Sequence, residues 1–176
     1  MLEGKLVNLS VIEKEDIPIL AEWFNNPKFW RGYGKGAQPS KGDIEKLYDK
    51  ELAEGGKWFF IEKKDGTKVG YIDHFLWGNM LEIGYGLIPK ERRKGYCTEA
   101  AKMMVDYLFL SKDIVRIQVV TNVKNIASQK VIEKTGFKKE GILRKAAFVT
   151  GVWADFYIFS ILREEWKEPK ILTKTT

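Results

Sequence analysis

The stretch Pro89-Lys90-Glu91-Arg92-Arg93-Lys94-Gly95-Tyr96-Cys97-Thr98-Glu99-Ala100 decides how this chain folds. It separates a strand-like run, residues 81–88, from a helical run rich in Ala, Met and Leu, residues 98–110. The start of a helix leaves several backbone N–H groups without intrahelical partners. A glycine just before it lets an anion approach the main chain closely. Those N–H groups, with the helix dipole, form an anion site. Arg92, Arg93 and Lys94 add positive charge, so a pyrophosphate is the expected guest. The same pattern also suits a solvated basic loop with Thr98 as a plain N-cap. No spaced Gly-Lys-Ser/Thr ending follows, and Gly95 stands alone where a dinucleotide fingerprint needs three glycines. Nucleoside triphosphate hydrolysis and dinucleotide redox chemistry are thereby excluded.

Upstream, Lys5-Leu6-Val7-Asn8-Leu9 reads as a short strand. Ile17, Leu20, Ala21 and Phe24 recur at helical spacing, and Asn25-Asn26-Pro27 ends the pattern. Residues 28–39, with Phe29, Trp30, Gly32, Tyr33, Gly34 and Gly36, read as an irregular loop. A second helix is expected from Ser40, with Asp43 as an imperfect capping box and Ile44, Leu47, Tyr48 and Leu52 as its apolar face. Residues 58–61 form a strand that turns at Asp65-Gly66, a strong hairpin signal, and returns as residues 69–77. Downstream, residues 116–121 read as a strand and residues 125–134 as a short helix stopped by Gly136. A final pair, about residues 146–149 and 152–162, turns at Thr150-Gly151. Together these elements predict a single α+β domain over residues 1–176, with a mostly antiparallel sheet and a β-α-β crossover in the second half.

Composition narrows the function. The 176 residues are 44% hydrophobic, enough for one core, and carry 30 basic against 24 acidic side chains, a net charge of +6. That modest charge suits an anionic ligand and does not by itself imply nucleic acid. With a single cysteine, Cys97, and a single histidine, His74, neither an intrachain disulfide nor a Cys- or His-based metal cluster is available, and no metal is expected. No signal peptide or membrane span is recognised, so a soluble cytoplasmic protein is expected.

The phosphate turn resembles the acetyl-coenzyme A loop of the GCN5-related N-acetyltransferase (GNAT) superfamily. The family pattern Gln/Arg-x-x-Gly-x-Gly/Ala reads here Arg92-x-x-Gly95-x-Cys97, with Cys97 a departure at the last position. Residues 81–89, the series Asn125, Ser128, Val131, Lys134, Gly136-Phe137 and Glu140-Gly141, and the late Gly151, Trp153, Asp155 and Leu162-Arg163 resemble its ribosomal-protein N-terminal acetyltransferase-like (RimJ/RimL-type) branch. The resemblance implies a central, mostly antiparallel mixed sheet with splayed middle strands and flanking helices. It implies acetyl-coenzyme A held by Leu87 and Ile88, by Arg92, Arg93, Lys94, Gly95, Tyr96, Cys97 and Thr98 of the turn, and by Asn125, Ser128 and Lys134. Asn125 also reads as a plain N-cap, and Lys130 and Lys134 as solvated charges.

Amide formation from a thioester needs a neutral amine. A lysine-like amine, with pKa about 10.4, is handicapped by roughly 4 kcal/mol near pH 7, and a protein α-amine by roughly 1.4 kcal/mol. Glu82 is the candidate base, since several family members carry a glutamate on this strand. Alternation places Glu82, Gly84 and Gly86 on one face, and small neighbours are expected to leave room for substrate. Asp73, Asp155 and His74 are weaker candidates. A backbone N–H near residues 83–86 is expected to polarise the thioester carbonyl. The family's usual tyrosine acid is replaced by Ile132, which has no proton to give. Ser128, one turn earlier, is the candidate partner for the leaving sulfur. An acyl-cysteine at Cys97 is rejected. Trp30, Tyr33, Phe148 and Trp153, with Phe29, Phe156, Asp73 and Asp155, are the candidate acceptor-binding residues. The acceptor is read as a protein or peptide N-terminal amine. Small-molecule amines (polyamine, amino sugar or drug) are the alternative, and a non-catalytic acyl-coenzyme A sensing domain is the reading from another class. The resemblance allows a homodimer, and no nucleic-acid or membrane partner is expected.

Overall fold

The computed structural model describes residues 1–31, 33 and 38–171. The strands are β1 (Leu2–Glu3), β2 (Val7–Val11), β3 (Lys57–Lys63), β4 (Lys68–Trp77), β5 (Met80–Leu87), β6 (Arg116–Asn122), β7 (Lys138–Val149) and β8 (Val152–Leu162). The helices are α1 (Ile17–Phe24), α2 (Pro27–Trp30), α3 (Lys41–Ala53), α4 (Tyr96–Ser111) and α5 (Ile126–Thr135). One sheet runs in the order β1-β2-β3-β4-β5-β6-β8-β7. Every neighbouring pair is antiparallel except β5 and β6, which are parallel and joined through α4. This is the expected α+β, largely antiparallel mixed sheet.

Strand alternation feeds two cores. Phe59 and Ile61 of β3 pack with Ile72, Ile83, Leu108, Ile117 and Phe159 on the face covered by α4 and α5. Trp58 and Phe60 point the other way and pack with Leu20, Phe29, Ile44, Tyr48 and Tyr71 under α1 to α3. Ser40 and Asp43 complete a reciprocal capping box at the start of α3, better formed than the imperfect one expected. Glu99, in the first turn of α4, accepts from the N–H groups of Lys5, Leu6 and Val7 at 3.0, 2.6 and 2.8 Å. The chain before β2 is thereby tied to the base of the phosphate turn.

Several boundaries differ from expectation. Lys5 and Leu6 precede the first long strand, and a two-residue β1 pairs with β2. The loop after Phe24 opens with the short α2, capped by Asn26 accepting from the Lys28 N–H. Gly32, Gly34 and Gly36 lie outside the described residues. α4 starts at Tyr96, so Thr98 is its third residue and neither its N-cap nor its start. β7 extends back to Lys138. Its first half masks a strand pattern because Lys138, Lys139 and Glu140 are charged and exposed and the first ladder shift of the β7–β8 pair, between Lys139 and Gly141, falls there. No helix among the described residues is long and apolar enough to cross a membrane.

Candidate active site

The sheet opens in its middle. The ladder between β5 and β6 holds only Glu82 opposite Gln118. Beyond it the strands part, and a groove of about 840 Å³ runs between residues 83–87 and residues 119–122. One end is closed by the turn into α4. Gly95, at φ 86°, is its N-cap, and Arg93 also takes a left-handed φ, 64°. The helix start turns its open N–H groups toward this end of the groove. Arg31, Arg93, Lys130 and Lys134 surround it with positive charge. Tyr96, Cys97, Thr98, Leu87, Asn125 and Ser128, all candidates for holding the cofactor, line the groove.

Three cofactor expectations change. Arg92 does line the groove, but its Nε donates to the Leu87 carbonyl at 3.1 Å and its Nη2 to those of Lys28 and Phe29 at 3.1 and 2.5 Å. It braces α2 against the turn. Lys94 is absent from the groove lining and pairs with Glu91 at 2.8 Å. Ile88 is absent too, packing into the cores while its N–H donates to the Val69 carbonyl at 2.9 Å. Arg93 is the cation of the turn that lines the groove without a carbonyl or carboxylate contact among the described residues, and Arg31, from α2's left-handed C-cap, was not foreseen. Asn125 serves as the N-cap of α5, accepting from the Ser128 N–H at 3.2 Å.

Midway along the groove the Tyr85 hydroxyl meets Ser128 Oγ at 3.0 Å. Burial, and then the nearby Cys97, hold the Tyr85 phenol above its ordinary range, so it keeps its proton. Ile132 is buried in the core. Tyr85, on the strand face opposite Glu82, was not among the candidate residues; an opening on that face is not visible from alternation alone. Burial also pushes the Cys97 thiol up to about 12, so no thiolate nucleophile exists there.

Trp30, Tyr33, Tyr71, Val120 and Phe156 line both the groove and a second cavity of about 680 Å³. Tyr33 fixes this junction by donating to the Lys124 carbonyl at 3.0 Å, and Trp30 Nε1 donates to the Phe24 carbonyl at 2.9 Å. The second cavity is walled by Phe24, Trp58, Ile44, Leu47, Leu143 and Val149, with Asp73 and Glu82 at the sheet and Asp43 from α3. Glu82 is buried and accepts from Gln118 Nε2 at 3.0 Å. Burial raises its pKa, against the Gln118 hydrogen bond. Asp73 Oδ1 accepts from the Gly84 N–H at 2.9 Å. Burial first, then Glu51 and Glu82, push Asp73 up to about 8.

The glycines beside Glu82 do not hold space for substrate. A Cβ on Gly84 would meet Asp73 Oδ1 at 2.5 Å, and one on Gly86 would meet the Phe29 ring at 2.7 Å. They admit Asp73 and Phe29 to the sheet. Of the N–H groups near residues 83–86 expected to polarise the thioester carbonyl, that of Gly84 is engaged by Asp73.

Other acceptor expectations fall outside the cavity. Phe148 and Trp153 are 54% and 61% exposed and pack on each other at the β7–β8 hairpin. They are a directly opposed cross-strand pair whose side chains leave the sheet on its outer side, while Ala147 and Val149 line the cavity. Asp155 holds the β7 irregularity by accepting from the Lys145 N–H at 2.8 Å. His74 sits on the opposite side of the sheet near Tyr107, and burial lowers it to about 4, so it stays neutral there.

Residues 7–138 match the model of the acetyltransferase (GNAT) domain. The chain belongs to the GNAT family. It is an acetyl-coenzyme A-dependent N-acetyltransferase. Among its relatives, the uncharacterized N-acetyltransferase YoaA of Bacillus subtilis is 37% identical over 93% of this chain and 97% of that one. The "Probable N-acetyltransferase YjcK" of the same species is 41% identical over 47% of this chain, and the match covers 46% of that protein. Spermidine N(1)-acetyltransferase of Escherichia coli is 23% identical over 91% and 88%. Among solved structures, spermidine N-acetyltransferase from Vibrio cholerae, in complex with coenzyme A and spermine, superposes with a TM-score of 0.80 at 20% identity, covering 93% and 99%. RimL, a ribosomal L7/L12 alpha-N-protein acetyltransferase in complex with coenzyme A, gives 0.79 at 17%, covering 90% and 95%. These likenesses establish the fold and divide between polyamine and ribosomal-protein enzymes, so the family is shown and the RimJ/RimL-type branch is not singled out.

Proposed function

We propose that this acetyltransferase modifies a primary amine of a small polycationic molecule of the polyamine class. The observation that carries the reading is a pair of buried carboxyl groups, Asp73 and Glu82, in an aromatic and aliphatic cavity that joins the groove. Ile44, Leu47, Leu143, Ala146, Ala147 and Val149 match a methylene chain. They offer no polar side chain to the amides that follow a peptide's N-terminal amine, so the peptide reading is the weaker. The likeness to two spermidine acetyltransferases points the same way.

The groove fits the acyl donor. Its phosphate end has the left-handed Gly95, the start of α4 and the cations Arg31, Arg93, Lys130 and Lys134. Its length follows two strand edges released from pairing. Acetyl-coenzyme A supplies the activated acetyl group, and the protein aligns an amine with it. Glu82 takes the amine's proton at its carboxylate, and its raised pKa suits an acceptor whose own pKa is high. Asp73 becomes charged more readily once an ammonium lies beside it. Ser128 and Tyr85 supply hydroxyl donors for the departing sulfur.

Coenzyme A release, measured across polyamines, N-terminal peptides and amino sugars with product masses, tests the reading. Spermidine- or spermine-dependent release with a singly acetylated product is expected. Release with peptides alone would restore the N-terminal reading. Saturable donor binding without acceptor-dependent release would favour a sensing domain.

A further inference from the structure

Glu82 meets one described side chain through a hydrogen bond, Gln118, and that residue is as buried as any in the protein. On β6, Ile117 and Val119 enter the core beneath α4, so Gln118 faces the acceptor side. Across the sheet it stands between Glu82 of β5 and Ser160 of β8. The Ser160 hydroxyl donates to Glu140 at 2.5 Å, and Glu140 is held by Arg116. This leaves Gln118 Oε1 buried with no hydrogen-bond partner among the described residues. A buried amide oxygen without a partner is uncommon and calls for a reason.

We infer that Gln118 is a positioning residue that keeps Glu82 hydrogen-bonded both before and after it takes the amine's proton. The inference rests on the proposed role of Glu82 as base. A carboxylate only accepts hydrogen bonds, whereas a carboxylic acid must also donate one. An amide offers both chemistries. In the resting arrangement Nε2 donates to Glu82. Rotation of the terminal amide brings Oε1 to the same place, where it accepts from the protonated carboxyl. The terminal torsion of glutamine is broad, and nothing described holds Oε1 against the turn. No bond other than the carboxyl O–H forms or breaks at this pair, and the proton comes from the amine. Gln118 also stands at the last ladder contact before β5 and β6 separate, so it sets where the base lies relative to the groove. The other ionisable side chains facing this cavity are Asp73 and Tyr71 of β4, Asp43 of α3 and Tyr33; Glu51 lies behind Asp73.

The test combines kinetics with a titration that needs no turnover. Gln118→Met keeps the length and removes both hydrogen-bonding functions. The acid limb of kcat/KM is expected to move up by about one pH unit, since the ionised carboxyl loses a charge-assisted bond while the acid loses only a weaker neutral one. Turnover is expected to fall about tenfold with the KM for acetyl-coenzyme A unchanged. In a Glu82→Gln background the same change should add no further loss. In the wild-type protein, the NMR signals of the Gln118 side-chain amide should titrate together with the Glu82 carboxyl. An amide that ignores that titration overturns the inference, even if the Met variant does not fold. So does an unmoved acid limb in a folded variant, or an equal loss in the Glu82→Gln background. If no amine is acetylated the proposed function fails, while the amide titration is read independently.

Discussion

The groove and the cavity on either side of Trp30 and Tyr33 are made of different materials. The groove is mainly main chain: two parted strands, a left-handed turn and the start of a helix. Its cations sit around that frame. The cavity is mainly side chain, with walls from α1, α2, α3 and six strands and two buried carboxyl groups. A main-chain site depends on conformation, so few residues fix it and it tolerates variety in the rest. A side-chain site depends on identity at every wall, so its ligand can change while the groove stays as it is. The groove is accordingly the part that family members can share, and the cavity the part in which they can differ.

The sharpest break of that contrast is Glu82→Gln. Removing the proposed base should lower kcat/KM by about 10²–10⁴-fold while coenzyme A affinity, measured by calorimetry, stays constant. A loss of coenzyme A binding would mean the two regions are not separable at Glu82. Next comes Gly95→Val. A branched residue at φ 86° carries strain of about 1–3 kcal/mol, and coenzyme A binding should weaken by about 10- to 100-fold. Normal binding would show that side chains, and not the turn, hold the phosphates.

Asp73→Asn sharpens the cavity side. The folded pKa of Asp73 is raised from 3.8 to about 8, so the folded state holds the proton more tightly than the unfolded chain. Its contribution to stability is greatest below pH 3.8 and declines as pH rises toward about 8. The neutral asparagine can still accept from Gly84. Its melting temperature should exceed wild type by several degrees at pH 9, at about 2–4 °C per kcal/mol, and the gap should close toward pH 4. A gap that widens on acidification would place a cation beside Asp73. The smallest effect is expected from Ser128→Ala, about fivefold in kcat with Tyr85 left as a donor.

Legibility in the sequence followed the same division. The turn into α4 was readable because a glycine and a helix start act through local geometry, within a few consecutive residues. Glu82 was singled out by the family resemblance and its strand position, and the structure buries it against Gln118. The cavity was not readable, since Trp58, Tyr71 and Leu143 meet only through the sheet order. Phe148 and Trp153 were misassigned because aromatic character does not reveal which side of a hairpin faces inward. Arg92 carried the right charge for a phosphate, yet three carbonyls lie within its reach. Gln118 did leave a signal: it is a lone amide between Ile117 and Val119 in an otherwise apolar run.

The parting of β5 and β6 beyond Glu82 and Gln118 has a consequence outside catalysis. Two strand edges face each other across the groove without a ladder between them, so the sheet is incomplete until something lies along them. A ligand that binds only the folded chain adds about 2.7 kcal/mol of stability at a hundred times its Kd. The lifetime of the enzyme in a cell should therefore rise and fall with its acetyl donor. The same opening that admits the donor is where the unliganded sheet is least held together.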